Sequence, residues 1–169
     1  FNLAFIAPEA FTQESRSDDG AAKGLFNIYV SMANDFLYPD PSNVLVFLDN
    51  HDLGRFSRVE DEGLNRYKQG IAFLLTTRGI PQVYYGTELL FKATKAQGDG
   101  AIRKDMPGGW PGDPRSVFIR EGRTPEEQEA YSYMQKILTW RKTSRAVTSG
   151  TMTQYAPLAQ YGNCYVYAR

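Results

Sequence analysis

Val44-Leu45-Val46-Phe47-Leu48-Asp49-Asn50-His51-Asp52 is a run of apolar residues followed directly by a run of polar ones. An apolar run without alternation is how a strand buried on both faces reads, and such strands belong to parallel sheets. Polar groups right after it lie at the strand's carboxyl end, where parallel α/β folds and barrels place their sites. Fold class and candidate site are therefore read from one short segment.

On either side the chain alternates in kind. Upstream, residues 3–6 form a short apolar run that reads as a strand. Residues 22–37 then carry a helical stripe of Leu25, Ile28, Tyr29, Met32, Phe36 and Leu37. It stops at Tyr38-Pro39-Asp40-Pro41, because proline disfavours helix in the residue before it. Downstream, residues 63–77 give a second stripe (Leu64, Tyr67, Ile71, Leu74, Leu75), with Gly79 as its stop. Ile80-Pro81-Gln82-Val83-Tyr84-Tyr85 follows as another strand, its proline near the start.

Residues 86–123 read as a long loop rich in glycine and proline, and loops of that length are uncommon unless functional. Thr124-Pro125-Glu126-Glu127 opens a helix, with Thr at the N-cap, Pro at the first helical position and acids in the first turn. That helix runs to Arg141-Lys142. The tail alternates (Thr151, Thr153, Tyr155, then Tyr165, Tyr167) around Tyr161-Gly162-Asn163 and reads as an antiparallel hairpin. The order β-α-β-α-β-loop-α predicts a parallel α/β unit over residues 1–147 and the start of an all-β module over residues 148–169.

Composition narrows the function classes. The chain has 169 residues, 42% of them hydrophobic, and 19 basic side chains cancel 19 acidic ones. At this size roughly 68–70% of the extended surface goes inside, enough for a sizeable core. Zero net charge argues against nucleic acid as a partner. No apolar run approaches the roughly 18 residues of a membrane span. Cys164 is the only cysteine, so no intrachain disulfide and no Cys/His zinc spacing is available. The chain begins at Phe1 rather than Met, without a signal-like start, and reads as a processed or excised piece.

Among the polar residues, Asp49, Asn50, His51 and Asp52 have two readings. They form either a loop that caps the next helix or a site built around the only histidine of the chain. A His-Asp metal site needs further histidine ligands, which are absent. A Ser-His-Asp triad lacks its G-x-S-x-G elbow, and phosphate-binding glycine fingerprints are missing. What remains is a carboxylate and an imidazole acting directly on an uncharged or polar substrate. Glu88, at the end of the next strand, is either a loop-holding or a catalytic acid. Arg103, Asp105 and Trp110 lie in the long loop, where an aromatic face can stack on a sugar ring or simply pack. Glu9 reads more as a helix start than as an acid.

Phe47-Leu48-Asp49-Asn50-His51-Asp52 resembles the "FxxNHD" segment of the α-amylase family of glycoside hydrolases. Residues 79–88 resemble that family's last barrel strand. Arg103-Lys104-Asp105-Met106-Pro107-Gly108-Gly109-Trp110 is similar to its neopullulanase and cyclomaltodextrinase branch. The resemblance implies the last three β/α units of a (β/α)8 barrel, followed by the first strands of a β-sandwich domain. It implies a retaining α-glucan hydrolase acting on starch, maltooligosaccharides, cyclodextrins or pullulan. Asp52 would then be the catalytic carboxylate that stabilises the transition state, with His51, Asn50 and Arg103 binding substrate and no metal or cofactor assigned.

The family's nucleophile and acid/base sit on its fourth and fifth strands, upstream of this sequence, so the resemblance also implies that these residues alone do not turn over substrate. Strands cut from a barrel expose edges, and self-association through them is expected. A non-catalytic carbohydrate-binding or assembly module is the alternative. The resemblance leaves the compartment open between the cytoplasm and export from a bacterium.

Overall fold

The computed structural model describes residues 24–58, 63–156 and 164–169. The strand expected at residues 3–6, and Glu9 with it, lie outside the described residues. Helix α1 (Phe26–Ala33) buries Ile28 and Met32, four apart and so on one face. A 3-10 turn at Asn34–Leu37 ends the helical stretch. Tyr38 behind it is extended, as the residue before Pro39 must be.

Strand β1 (Leu45–Phe47) then pairs in parallel with β2 (Ile80–Gln82), in the register Leu45–Ile80, Val46–Pro81, Phe47–Gln82. Helix α2 (Asn65–Thr76) is the crossover between them. It buries Tyr67, Ile71, Leu74 and Leu75, the stripe read from the sequence, together with Gly70 and Phe73. Its stop is steric. Gly79 takes φ +99°, and a Cβ there would lie 2.5 Å from the Val44 carbonyl oxygen. That close approach lets the Ile80 amide donate to the same carbonyl at 3.0 Å and start β2 beside β1.

The long connection after β2 is built of tight turns and one short helix, α3 (Asp99–Ile102). Helix α4 (Pro125–Thr143) begins on a capping box. The Glu127 amide donates to Thr124 Oγ1 at 3.2 Å, and the Thr124 amide donates to Glu127 Oε2 at 2.9 Å. It lies against α2, where Tyr133 donates its hydroxyl proton to the Lys68 carbonyl and Lys68 pairs with Glu129 at 2.6 Å.

Helix α5 (Arg145–Ser149) spans the position expected to separate the two modules. The tail forms an antiparallel pair, β3 (Thr153–Tyr155) and β4 (Val166–Ala168). Tyr165 and Tyr167 meet the Phe73 ring edge-on at 6.1 and 5.9 Å. The hydroxyls of Tyr167 and Thr76 share a hydrogen bond, so the hairpin is seated on α2.

One cluster makes the main core. It joins Val46 and Leu48 from the β1 segment to Ile71, Leu74 and Leu75 of α2, with Met134 of α4 and the α1 pair. A second, smaller cluster of Leu89, Phe91 and Val117 lies under the long connection. The two clusters hold the two segments that frame the candidate site.

Candidate active-site rim

The chain leaves β1 into a loop closed by one buried carboxylate. Asp49 is 2% exposed. It accepts the Phe56 amide at 3.0 Å and the Thr87 hydroxyl at 2.9 Å, so it joins the two ends of its own loop to the turn after β2. Burial pushes its pKa above the ordinary 3.8, against the opposing pull of those two hydrogen bonds and of Arg55. A carboxylate placed this way organises a loop.

Asn50 is used locally as well. Its Oδ1 accepts the Asp52 amide at 2.9 Å and the Leu53 amide at 3.0 Å, which turns the chain outward. Asp49 and Asn50 fold the loop without capping α2, which begins behind Leu64 with no side-chain cap, and His51 and Asp52 project from that loop. The side chains of His51 and Asp52 are 60% and 62% exposed, with His51 Nε2 3.2 Å from Asp52 Oδ2.

Arg103 reaches this pair from the far side of the long connection. Its Nε donates to the His51 carbonyl at 3.0 Å, and its Nη2 donates to Asp52 Oδ1 at 3.2 Å and to Asp99 Oδ2 at 2.9 Å. Asp99 also accepts from Lys95, and this hydrogen bond, with help from Arg103, holds its carboxyl below the usual range. Asp52 is therefore an outward carboxylate whose two oxygens face an imidazole and a guanidinium. Three of the four residues assigned from sequence meet here, across 51 positions of chain between Asp52 and Arg103.

Two contributors escaped the sequence reading. Asp99 had a legible signal, since Lys95, Asp99 and Arg103 alternate in charge at a spacing of four. Arg55 had none: a lone arginine in a polar loop gives no hint that it is only 5% exposed.

The other acids and aromatics lie apart from this cluster. Glu88 lines a groove of about 550 Å³ with Val83, Tyr85, Tyr131, Met134 and Leu138, between the end of β2 and α4. Trp110 is 64% exposed on a turn where the Asp113 carboxylate accepts the amides of Gly108 and Trp110. Among the described residues no group of three or more His, Cys, Asp or Glu could hold a metal ion, and no helix is long and apolar enough to cross a membrane.

The β-α-β unit thus carries an outward acid, imidazole and guanidinium beyond its strand ends. Comparison with known proteins gives it relatives. No family model matches the chain. It is 31% identical to a cyclomaltodextrin glucanotransferase of Paenibacillus macerans over 90% of its own length, and 30% identical to an α-amylase of Niallia circulans over the same share. The solved γ-cyclomaltodextrin glucanotransferase of an alkalophilic Bacillus clarkii matches 90% of the chain with a TM-score of 0.60 at 29% identity.

The resemblance to the α-amylase family therefore holds, without singling out the neopullulanase and cyclomaltodextrinase branch. In sequence and in structure, the chain's neighbours are α-amylase-family enzymes over about 90% of its length, and that family is built on the TIM barrel. These relatives bear the names of glucanotransferases and α-amylases. The chain spans 18% and 25% of the two curated relatives, and 19% of the solved one.

Proposed function

We propose that this chain supplies the substrate-holding rim of a retaining α-glucan-active enzyme, in which Asp52 stabilises the positive charge that develops on the sugar. The carrying observation is the presentation of Asp52. It stands 62% exposed at the carboxyl end of a parallel strand, with its oxygens directed by His51 and Arg103. A carboxylate so placed accepts sugar hydroxyls and complements an oxocarbenium-like centre. His51 and Arg103 donate to the same sugar, and Asn50 holds the turn that presents them. Whether water or another sugar hydroxyl takes the glycosyl group decides between hydrolysis and transfer. The relatives' names include both kinds of enzyme.

In this reading β1 and β2 are the last two strands of a (β/α)8 barrel, and the β3–β4 hairpin opens the following β domain at about residue 148. Retaining chemistry needs a nucleophile and an acid/base about 5–5.5 Å apart. We place both outside these 169 residues, so the chain alone binds α-glucan without cleaving it. The paired strands leave Leu45 and Ile80 about half exposed side by side. We place a second copy of the chain or a partner segment against that exposed apolar face.

Calorimetric titration of the chain with maltoheptaose tests the site. Binding that the Asp52→Asn variant loses is the expected result. A wild-type chain that does not bind, or a variant that binds equally well, refutes it.

A further inference from the structure

We propose that Arg55 is the positioning residue of the rim, the buried group that sets where Arg103 and Asp52 meet. The inference rests on the reading of Asp52 as a sugar contact, although its geometry stands without that reading. Arg103 and Asp52 do not fix each other. Their side chains are 43% and 62% exposed and 3.2 Å apart. An ion pair in that much water contributes little and does not hold two long side chains in one arrangement. Something beneath must fix the two backbones first.

Arg55 is that group. Its Nε donates to the Ile102 carbonyl at 2.9 Å, and Ile102 is fully buried and immediately precedes Arg103. Its Nη1 donates to the Tyr85 carbonyl at the end of the β2 segment. Its own amide donates to the Ala93 carbonyl at 2.8 Å. The guanidinium lies 4.1 Å above the Tyr84 ring, with Tyr85 and Phe91 at 5.1 and 5.3 Å. Aromatic faces of this kind compensate a desolvated cation.

One side chain therefore ties the loop of Asp52 to the backbone that carries Arg103. Arg103 closes the circuit by donating back to the His51 carbonyl and to Asp52. A lysine does not replace this fork, because one ammonium lacks the planar geometry that serves two separated carbonyls and stacks on a ring at once.

His51 is the only histidine of the chain and sits inside the circuit, so its Cε1–H resonance reports on the rim without ambiguity. The experiment compares the 169-residue wild type with Arg103→Met, Arg55→Lys, Arg55→Met and Tyr84→Leu, each checked for an intact fold by far-ultraviolet circular dichroism. Arg103→Met is expected to move the His51 signal. Arg55→Lys and Arg55→Met should move it in the same direction, Tyr84→Leu less far, and the Arg55→Lys/Arg103→Met double variant no further than the larger single. Tyr84→Leu weakens the stacking without touching the loop, and carries the test if neither Arg55 variant folds.

Folded Arg55 or Tyr84 variants that leave the signal in place, while Arg103→Met moves it, overturn the proposal. Maltoheptaose titration separates this outcome from failure of the functional reading. Arg55→Lys is expected to weaken binding by about tenfold, the worth of one oriented hydrogen bond. A wild type that does not bind refutes the sugar reading and leaves the His51 comparison to decide the role of Arg55.

Discussion

Replacing Asp49 by alanine removes the acceptor that serves both the Phe56 amide and the Thr87 hydroxyl. Both donors lie in the buried seam between the loop after β1 and the turn after β2. A buried donor left without an acceptor costs about 1–3 kcal/mol, so the pair costs about 2–6 kcal/mol. That is a large share of the roughly 5–15 kcal/mol by which a domain is stable. Asparagine is a different perturbation, because it keeps an oxygen for one or both donors and removes the charge. Burial is the largest influence on this carboxyl and raises its pKa above the ordinary 3.8.

The sign of the pH dependence follows from that shift. Between the ordinary and the raised value the folded chain binds more protons than the unfolded chain. The contribution of Asp49 is therefore most favourable at and below pH 3.8, and is lost as pH rises through the folded value. Urea denaturation followed by circular dichroism at pH 4 and pH 7 reads both effects. Asp49→Ala should fall by about 2–6 kcal/mol. Asp49→Asn should stay within about 1 kcal/mol of wild type at pH 7 and gain on it from pH 4 to pH 7. An Asn variant as damaged as the Ala variant, or a gap that does not change with pH, refutes the assignment of Asp49 as a burial-strained structural carboxylate.

Two further outcomes are expected. Gly70 lies where a Cβ would sit 2.3 Å from the buried Phe56 ring. Gly70→Ala should therefore lower stability by about 1–3 kcal/mol through overpacking, in spite of the ~1 kcal/mol that alanine adds to helix propensity; a raised melting temperature contradicts the packing. Glu127 accepts two hydrogen bonds from Arg115, which hold its carboxyl below the ordinary 4.5. Its contribution is present above pH 4.5 and lost as pH falls through the folded value. Because glutamine still completes the capping box, Glu127→Gln should cost at most about 1 kcal/mol at pH 7 and less as pH falls below 4.5, and a loss that does not change with pH argues against the ion pair.

The β-α-β unit and α4 were legible because their signals are local. An uninterrupted apolar run marked β1, a four-residue start motif marked α4, and a period near 3.6 marked α2. The strand ends were less legible. The β2 segment was expected to reach Tyr85 and pairs only to Gln82. The Tyr84 carbonyl accepts the Thr87 amide and the Tyr85 carbonyl accepts Arg55, so these groups serve a turn and a guanidinium instead of a ladder.

Asp49 and Asp52 differ in position by three residues and look alike in sequence. Only the tertiary fold decides that one is enclosed and the other faces out. Arg55 was the least visible, because its role depends on three aromatic rings and two carbonyls from segments 29 to 47 residues away.

The central claim is that these residues carry the sugar-holding rim of an α-glucan enzyme and not its bond-breaking pair. One paired measurement tests it most directly: titration of the chain with maltoheptaose, with reducing ends assayed in the same samples, for wild type and Asp52→Asn. The account predicts binding by wild type, loss of that binding in the variant, and no reducing ends from either. Reducing ends released by wild type above the Asp52→Asn level would place a complete catalytic pair within these 169 residues and contradict it.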